Sequence, residues 1–231
     1  MYTSYDVLID NTSCFAHGIY PVKRPSIPSP KKRYRSYDIL DKDGKAYIDT
    51  GMYEDVDLSI EFNYMTKPNL WHEAFREAKR ILLSGSTLRI SDDQNVFYKI
   101  KKVEVGDNQR STRTIGKFTA TFTLDPYSYF THGKYPCDIV NGQVYNKYDR
   151  SKPIYKLTGT GGGYIQVNGA VCHFDQSVVI DCDKKQAFVN GEALNSAITG
   201  RYEKLELVYG INTIEVSSGY TLELIPNWRQ I

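Results

Sequence analysis

The chain has 231 residues, 41% hydrophobic and 24% charged, and its 29 basic and 27 acidic side chains leave a net charge of +2. That balance argues against non-specific nucleic-acid binding, which needs a basic surface. No apolar run approaches the roughly 18 residues of a membrane-spanning helix. The opening MYTSYDVLIDNTS has neither a positive n-region nor an apolar h-region, so no secretory signal is expected.

The length suits one large or two small domains. Tyrosine is abundant, 19 residues against 9 phenylalanines. Its ring suits half-buried β-surfaces, and its apolar body with a polar tip suits interfaces. Cysteines stand at 14, 137, 172 and 182, with no CxxC pair. Cys172 and Cys182 fall on neighbouring predicted strands, which leaves a cross-strand bond open; reduced, buried thiols are the expected state.

In chain order, YDVLI at 5–9 is the first predicted strand. An arm follows, YPVKRPSIPSPKKRYRS, with four prolines and the basic cluster Lys31, Lys32, Arg33 and Arg35. Proline at that density resists both helix and central strand. A strand resumes at 33–40, and DKDG at 41–44 is a turn. Residues 55–64 alternate without a fault. Val56, Leu58, Ile60, Phe62 and Tyr64 share one face, and Asp55, Asp57, Ser59, Glu61 and Asn63 the other, as in a strand with one dry and one wet side.

One helix is predicted, TKPNLWHEAFREAKRILLSG. Thr66 is placed to cap it, Pro68 suits its first turn and Gly85 its end. Leu70, Trp71, Ala74, Phe75, Ala78, Ile81 and Leu82 form one apolar stripe. Strands follow at 87–91, 96–105 and 116–124. DPYSYFTHGKYP then breaks the pattern, which places a domain boundary at about 126–138. Beyond it come short strands separated by GTGGG at 159–163, SSG at 217–219, and Asn-Gly at 141–142, 168–169 and 190–191. Asn-Gly between apolar runs signals a tight hairpin, and turns at this spacing indicate a β-sandwich.

Catalytic motifs are incomplete. In TGTGGGY the last position of a dinucleotide fingerprint is Tyr164 and a strand pattern follows, so the glycines are expected to form a hairpin turn. HEAFR lacks the second histidine of a zinc-binding helix, because position 76 is Arg76. The histidines at 17, 72, 132 and 173 have no ligand spacing, and GxSxG is absent. Asp55, Asp57 and Glu61 share one strand face, where paired carboxylates could serve glycoside hydrolysis, though such residues commonly form a solvated face. No enzyme, cofactor or metal site is expected.

Four stretches in order resemble the distal tail protein (Dit) family of long-tailed phages infecting Gram-positive bacteria, across nearly the whole chain. The basic arm with YIDTGMYEDVDLSIEFNY is similar to that family's first domain. NLWHEAFREAKRILLSG, then TLRISDD and VFYKI, is similar to its helix-then-strands segment. VVIDCDKKQAFVNGEAL resembles a hairpin of the outer domain, and LELVYGINTIEVSSGYTLELIPNWRQI resembles the ending. The short outer half leaves no room for the carbohydrate-binding modules inserted in some members.

The resemblance implies a mainly β protein. Residues 1–135 would be a β-barrel-like, ring-forming domain with one helix, completed by the last strand at about 220–231. Residues 136–220 would be a galectin-like sandwich. It implies a non-enzymatic virion protein, assembled in the host cytoplasm into a homo-hexameric hub of the tail tip. Its partners would be the tail tube protein, the tail-associated lysin or tail-tip protein, receptor-binding or baseplate proteins and the tape-measure protein. DNA would pass through the channel as non-specific cargo, with Asp55, Asp57 and Glu61 facing it. Pro226, Trp228 and Arg229 would latch the two domains together. The alternative is a carbohydrate-binding β-sandwich acting at a cell surface.

Overall fold

The computed structural model describes residues 5–231 as a mainly β protein with one α-helix. Two compact units divide the chain, one running through Ser128 and taking in Ile231, the other Tyr129–Gln230. The division at 128–129 lies within the interval 126–138 read from the sequence and ahead of residue 135, where the resemblance would end the first domain.

In the first unit, a curled antiparallel sheet runs in the order Thr12–Ser13, Val7–Ile9, Thr87–Ile90, Val96–Val105, Ile115–Phe130, Val56–Met65, Ile19–Pro21. The alternation read at 55–64 becomes the strand Val56–Met65. It pairs with Ile115–Phe130 in one unbroken register from Val56↔Leu124 to Met65↔Ile115. Opposed residues share a face, so Leu58, Ile60 and Phe62 meet Phe122, Ala120 and Phe118 in a dry layer. Helix Trp71–Leu83 lays Trp71, Ala78, Ile81 and Leu82 into that layer, with Phe75 edge-on to Phe118 at 5.3 Å.

Both helix ends differ from expectation. A 3₁₀ turn, Pro68–Leu70, precedes the helix, and Thr66 gives its N–H to Thr114 O instead of capping. Ser84 ends the helix in a right-handed conformation. Gly85 is needed for space: a Cβ there would lie 2.0 Å from Ile9 Cγ2.

The proline arm runs past Val56, Tyr98 and Leu124, with which Ile27, Pro28 and Pro30 line a cavity. Val22 N–H donates to Glu61 O at 2.8 Å where the arm begins, and Glu54 N–H donates to Lys31 O at 2.8 Å where it ends. Between these points Pro25, Pro28 and Pro30 have no N–H to offer, and the stretch forms no strand. The strand expected at 116–124 also runs further than alternation indicated, through Pro126 to Phe130. Its pairing with Val56–Met65 stops at Leu124, so Pro126 lies beyond the stretch where that ladder needs an N–H.

The second unit is a β-sandwich of two five-stranded antiparallel sheets. Ile165, Val167, Cys172, Phe174 and Ile214 from one sheet pack with Tyr155, Leu157, Val178, Ile180 and Leu224 from the other in a single core. The three Asn-Gly pairs carry positive φ at both residues: 52° and 71° at 141–142, 49° and 84° at 168–169, 52° and 86° at 190–191. That is the backbone a type I′ hairpin requires.

Three sequence readings change here. The glycines at 159–163 do not close a hairpin; they carry the chain from strand Ile154–Thr158 in one sheet to Gly163–Val167 in the other. The crossing presses on Tyr220, whose ring atoms would lie 2.8 Å from a Cβ at 159 and whose hydroxyl donates to Gly161 O. Cys172 and Cys182 belong to opposite sides of the sandwich, and all four cysteines are free. Of the segment 220–231 expected to complete the first domain, the long strand Thr221–Ile225 pairs along Ile154–Thr158, while the short strand Arg229–Gln230 pairs with Ile115–Phe130.

Candidate functional site

Three surfaces could carry function. The first is the wet face of Val56–Met65 and its neighbours. The acidic residues singled out from the sequence are there, each with a partner brought by another strand. Lys101 Nζ lies 2.5 Å from Asp55 and 3.6 Å from Asp125. Lys117 Nζ lies 2.6 Å from Glu61, and Thr123 Oγ1 donates to Asp57 at 2.7 Å. Partial burial works against the Lys101 charge, but hydrogen bonding to Asp55 and the pull of both carboxylates raise its pKa overall. The face is a ladder of opposite charges and hydroxyls, with Ser59 and Thr121 3.0 Å apart between them. The sequence could not show this, because the cations stand 40 or more positions away.

The second surface is a two-stranded ribbon, Lys32–Asp38 and Lys45–Tyr53. Opposed pairs are Arg35↔Ile48, Ser36↔Tyr47 and Tyr37↔Ala46. A lone hairpin has no second layer to bury its side chains. Tyr34, Tyr37, Tyr47, Ile48 and Met52 are all exposed, Tyr47 by 67%, and Leu40 at the tip by 89%. Lys32 binds Asp49 across the ribbon at 2.8 Å, and Tyr53 at the root meets the Tyr127 ring edge-on at 6.0 Å.

The third is the chain's end. Trp228 is only 6% exposed and belongs to the core of the second unit. Its ring lies 6.1 Å from that of Tyr148, which stacks on Phe130 at 4.1 Å. Phe130 N–H donates to Trp228 O, and Asn227 N–H to Gly133 O, both at 2.9 Å. Gly133 is required by this approach, since a Cβ there would come 2.5 Å from Trp228 N. Arg229, also 6% exposed, gives Nε–H to Arg150 O at 2.7 Å, and its carbonyl accepts from Asp149 N–H at 3.1 Å. Pro226 is buried beside them. The seat of the expected latch is thus built by residues of the second unit.

Among the described residues no group of three or more His, Cys, Asp or Glu side chains is arranged to hold a metal ion. His72 is exposed on the helix, its ring edge-on to Trp71 at 5.0 Å. A cavity of about 250 Å³ under the proline arm is lined by Ile27, Pro28, Pro30, Val56, Tyr98 and Leu124, with Asp125 at its wall.

No family model matches the sequence, and no curated protein matches it. Among solved structures, the chain is similar to the crystal structure of SPP1 Dit (gp 19.1), described as a paradigm of the hub adsorption apparatus in phages that infect Gram-positive bacteria. The superposition covers 99% of both chains with a TM-score of 0.61 at 11% sequence identity. The chain has a Dit-like fold. At that identity the likeness extends to architecture, and the surfaces must be read from this chain's own residues.

Proposed function

We propose that this chain is a structural component of a phage tail tip, a hub that joins the tail tube to the tail-tip and receptor-binding proteins. The observation that carries this is end-to-end likeness to a hub protein, with 99% of each chain covered. On this reading the first unit builds a homo-hexameric ring around a channel for DNA. The sandwich unit faces outward and holds receptor-binding or baseplate parts. The tail tube protein, the tail-associated lysin and the tape-measure protein are its neighbours. The chain is assembled in the host cytoplasm and has no catalytic role.

The ladder at Asp55, Asp57 and Glu61 suits the channel wall differently from a purely acidic surface. With Lys101 and Lys117 interleaved, it neither grips phosphate nor strongly repels it. A ring structure with these residues turned away from the channel removes that assignment. The test of the whole reading is gold-labelled antibody on purified virions. Label at the distal tail is the expected result, and virions that lack the chain retire the reading. A purified ring of six copies of the 26.4 kDa chain has a mass of about 158 kDa by light scattering.

A further inference from the structure

The three Asn-Gly pairs of the second unit are chemically alike as sequence. All three asparagines are exposed, and all three pairs hold the same positive-φ turn. Their anchorage differs. Asn168 is bonded to strand Gly210–Val216 through three atoms. Its backbone N–H donates to Thr213 O at 2.9 Å, its Oδ1 accepts from Thr213 N–H at 2.9 Å, and its Nδ2 donates to Asn212 Oδ1 at 2.8 Å. Asn212 is fully buried, so the anchor belongs to the core wall. The Asn141 side chain has no hydrogen-bond partner among the described residues. Its turn, however, is closed by Val140 N–H to Gln143 O at 3.0 Å and Gln143 N–H to Val140 O at 2.9 Å, and Gly142 O accepts from Ile214 N–H at 2.7 Å. The Asn190 side chain is also without a partner among the described residues. Its hairpin returns on the two-residue strand Glu192–Ala193 at the edge of its sheet, and a Cβ on Gly191 would meet nothing within 4 Å.

We propose that Asn190 is a site of spontaneous deamidation, that Asn141 follows more slowly, and that Asn168 is protected. The nucleophile is the backbone nitrogen of the following glycine. It loses its proton to solvent base and bonds to the asparagine Cγ. The Cγ–Nδ2 bond breaks, and that nitrogen leaves as ammonia. The cyclic imide then takes up water and opens to aspartate or to isoaspartate. Glycine favours the attack because no Cβ crowds its nitrogen. A closed turn restricts the dihedrals that must rotate for the attack. Reaction therefore waits on local opening, and opening is easiest where the backbone is least bonded. Freeing the Asn168 side chain breaks two hydrogen bonds that the other two asparagines lack, which places its rate on the order of tenfold below that of Asn190. Conversion of Asn190 sets a carboxylate near Glu192 and lowers the net charge of +2 by one. Where isoaspartate forms, the backbone gains a methylene that a two-residue turn has no room for, and the register Val189↔Glu192 is lost. This chemistry is independent of the hub reading.

The test is incubation of the folded full chain in mildly alkaline buffer. Samples taken at intervals are digested in mild acid and the three peptides weighed by mass spectrometry, since exchange of the amide NH2 for OH adds one mass unit. A parallel incubation in urea measures the same pairs with the fold removed. In urea the three should convert at similar rates. In the folded chain the order should be Asn190, then Asn141, then Asn168, with Asn168 behind Asn190 by on the order of tenfold. Asn190→Gln, whose longer side chain must close a six-membered ring and does so far more slowly, should remove the fastest conversion and leave the other two unchanged; circular dichroism confirms that the variant is folded. Equal rates in the folded chain overturn the proposal, as does conversion of Asn168 ahead of Asn190. So does a folded chain in which none of the three converts while the urea sample does. An order that is the same in urea also overturns it, because flanking residues and not anchorage would then set the rates. None of these outcomes touches the hub reading, which stands or falls on antibody labelling of the tail.

Discussion

Replacing Trp228 with alanine should unfold the second unit early. The indole is 6% exposed, packs in the sandwich core, lies 6.1 Å from the Tyr148 ring and is clamped by backbone bonds at Phe130 and Asn227. Those backbone bonds survive the substitution, so the loss is burial plus the cavity left behind, about 3–5 kcal/mol for a buried tryptophan. In a unit of this size each kcal/mol moves the melting temperature by about 4–8 °C. The transition of the second unit should fall by at least ~12 °C in differential scanning calorimetry. Gly133→Ala gives an independent check, because its Cβ would sit 2.5 Å from Trp228 N and force the terminus off its seat. A Trp228→Ala melting temperature within about 3 °C of wild type would refute the argument that this residue is structural cement, since it would mean less than ~1 kcal/mol was lost.

Three further outcomes are expected. Tyr155, fully buried, donates its hydroxyl to Leu205 O at 2.6 Å; Tyr155→Phe should cost about 1–3 kcal/mol in urea unfolding by leaving that carbonyl unpaired, and no cost would show that it finds another donor. Burial raises the Asp10 pKa, but bonds from the Ser86 and Thr87 amides and hydroxyls outweigh it and hold the carboxyl below its ordinary value. A carboxyl depressed on folding stabilises fully above its unfolded pKa of about 4, and that support disappears as pH falls through the lower folded value. Acid unfolding of the first unit should therefore be less steep in Asp10→Asn, and unchanged steepness would remove Asp10 as a cause. Burial pushes Cys172 up to about 11 and raises Cys14, Cys137 and Cys182 as well. At pH 8 the native protein should react only slowly with a thiol reagent and release four thiols after denaturation; fast native labelling would contradict the packing, and fewer than four on denaturation would reveal a disulfide.

Much of the fold was legible because the relevant physics is local. The period-two alternation of Val56–Met65, the apolar stripe of Trp71–Leu83 and the Asn-Gly turns at 141–142, 168–169 and 190–191 each depend on a few consecutive residues, and all three appear in the structure. The resemblance to distal tail proteins rested on the order of such stretches. Order survives in a fold even at 11% identity.

What the chain alone determined, then, is its set of elements: many strands, one helix, and hairpins wherever positive φ was affordable to Asn and Gly. Tertiary structure decided the partners. It sent Thr221–Ile225 to Ile154–Thr158, turned the glycines at 159–163 into a crossing between sheets, and set Cys172 and Cys182 on opposite sides of a core. It also brought Lys101 and Lys117 to carboxylates that read as an unopposed acidic face. Alternation states which side of a strand is dry. Which strand lies alongside is settled by burying the most apolar surface while pairing the backbone, a sum over residues far apart in sequence.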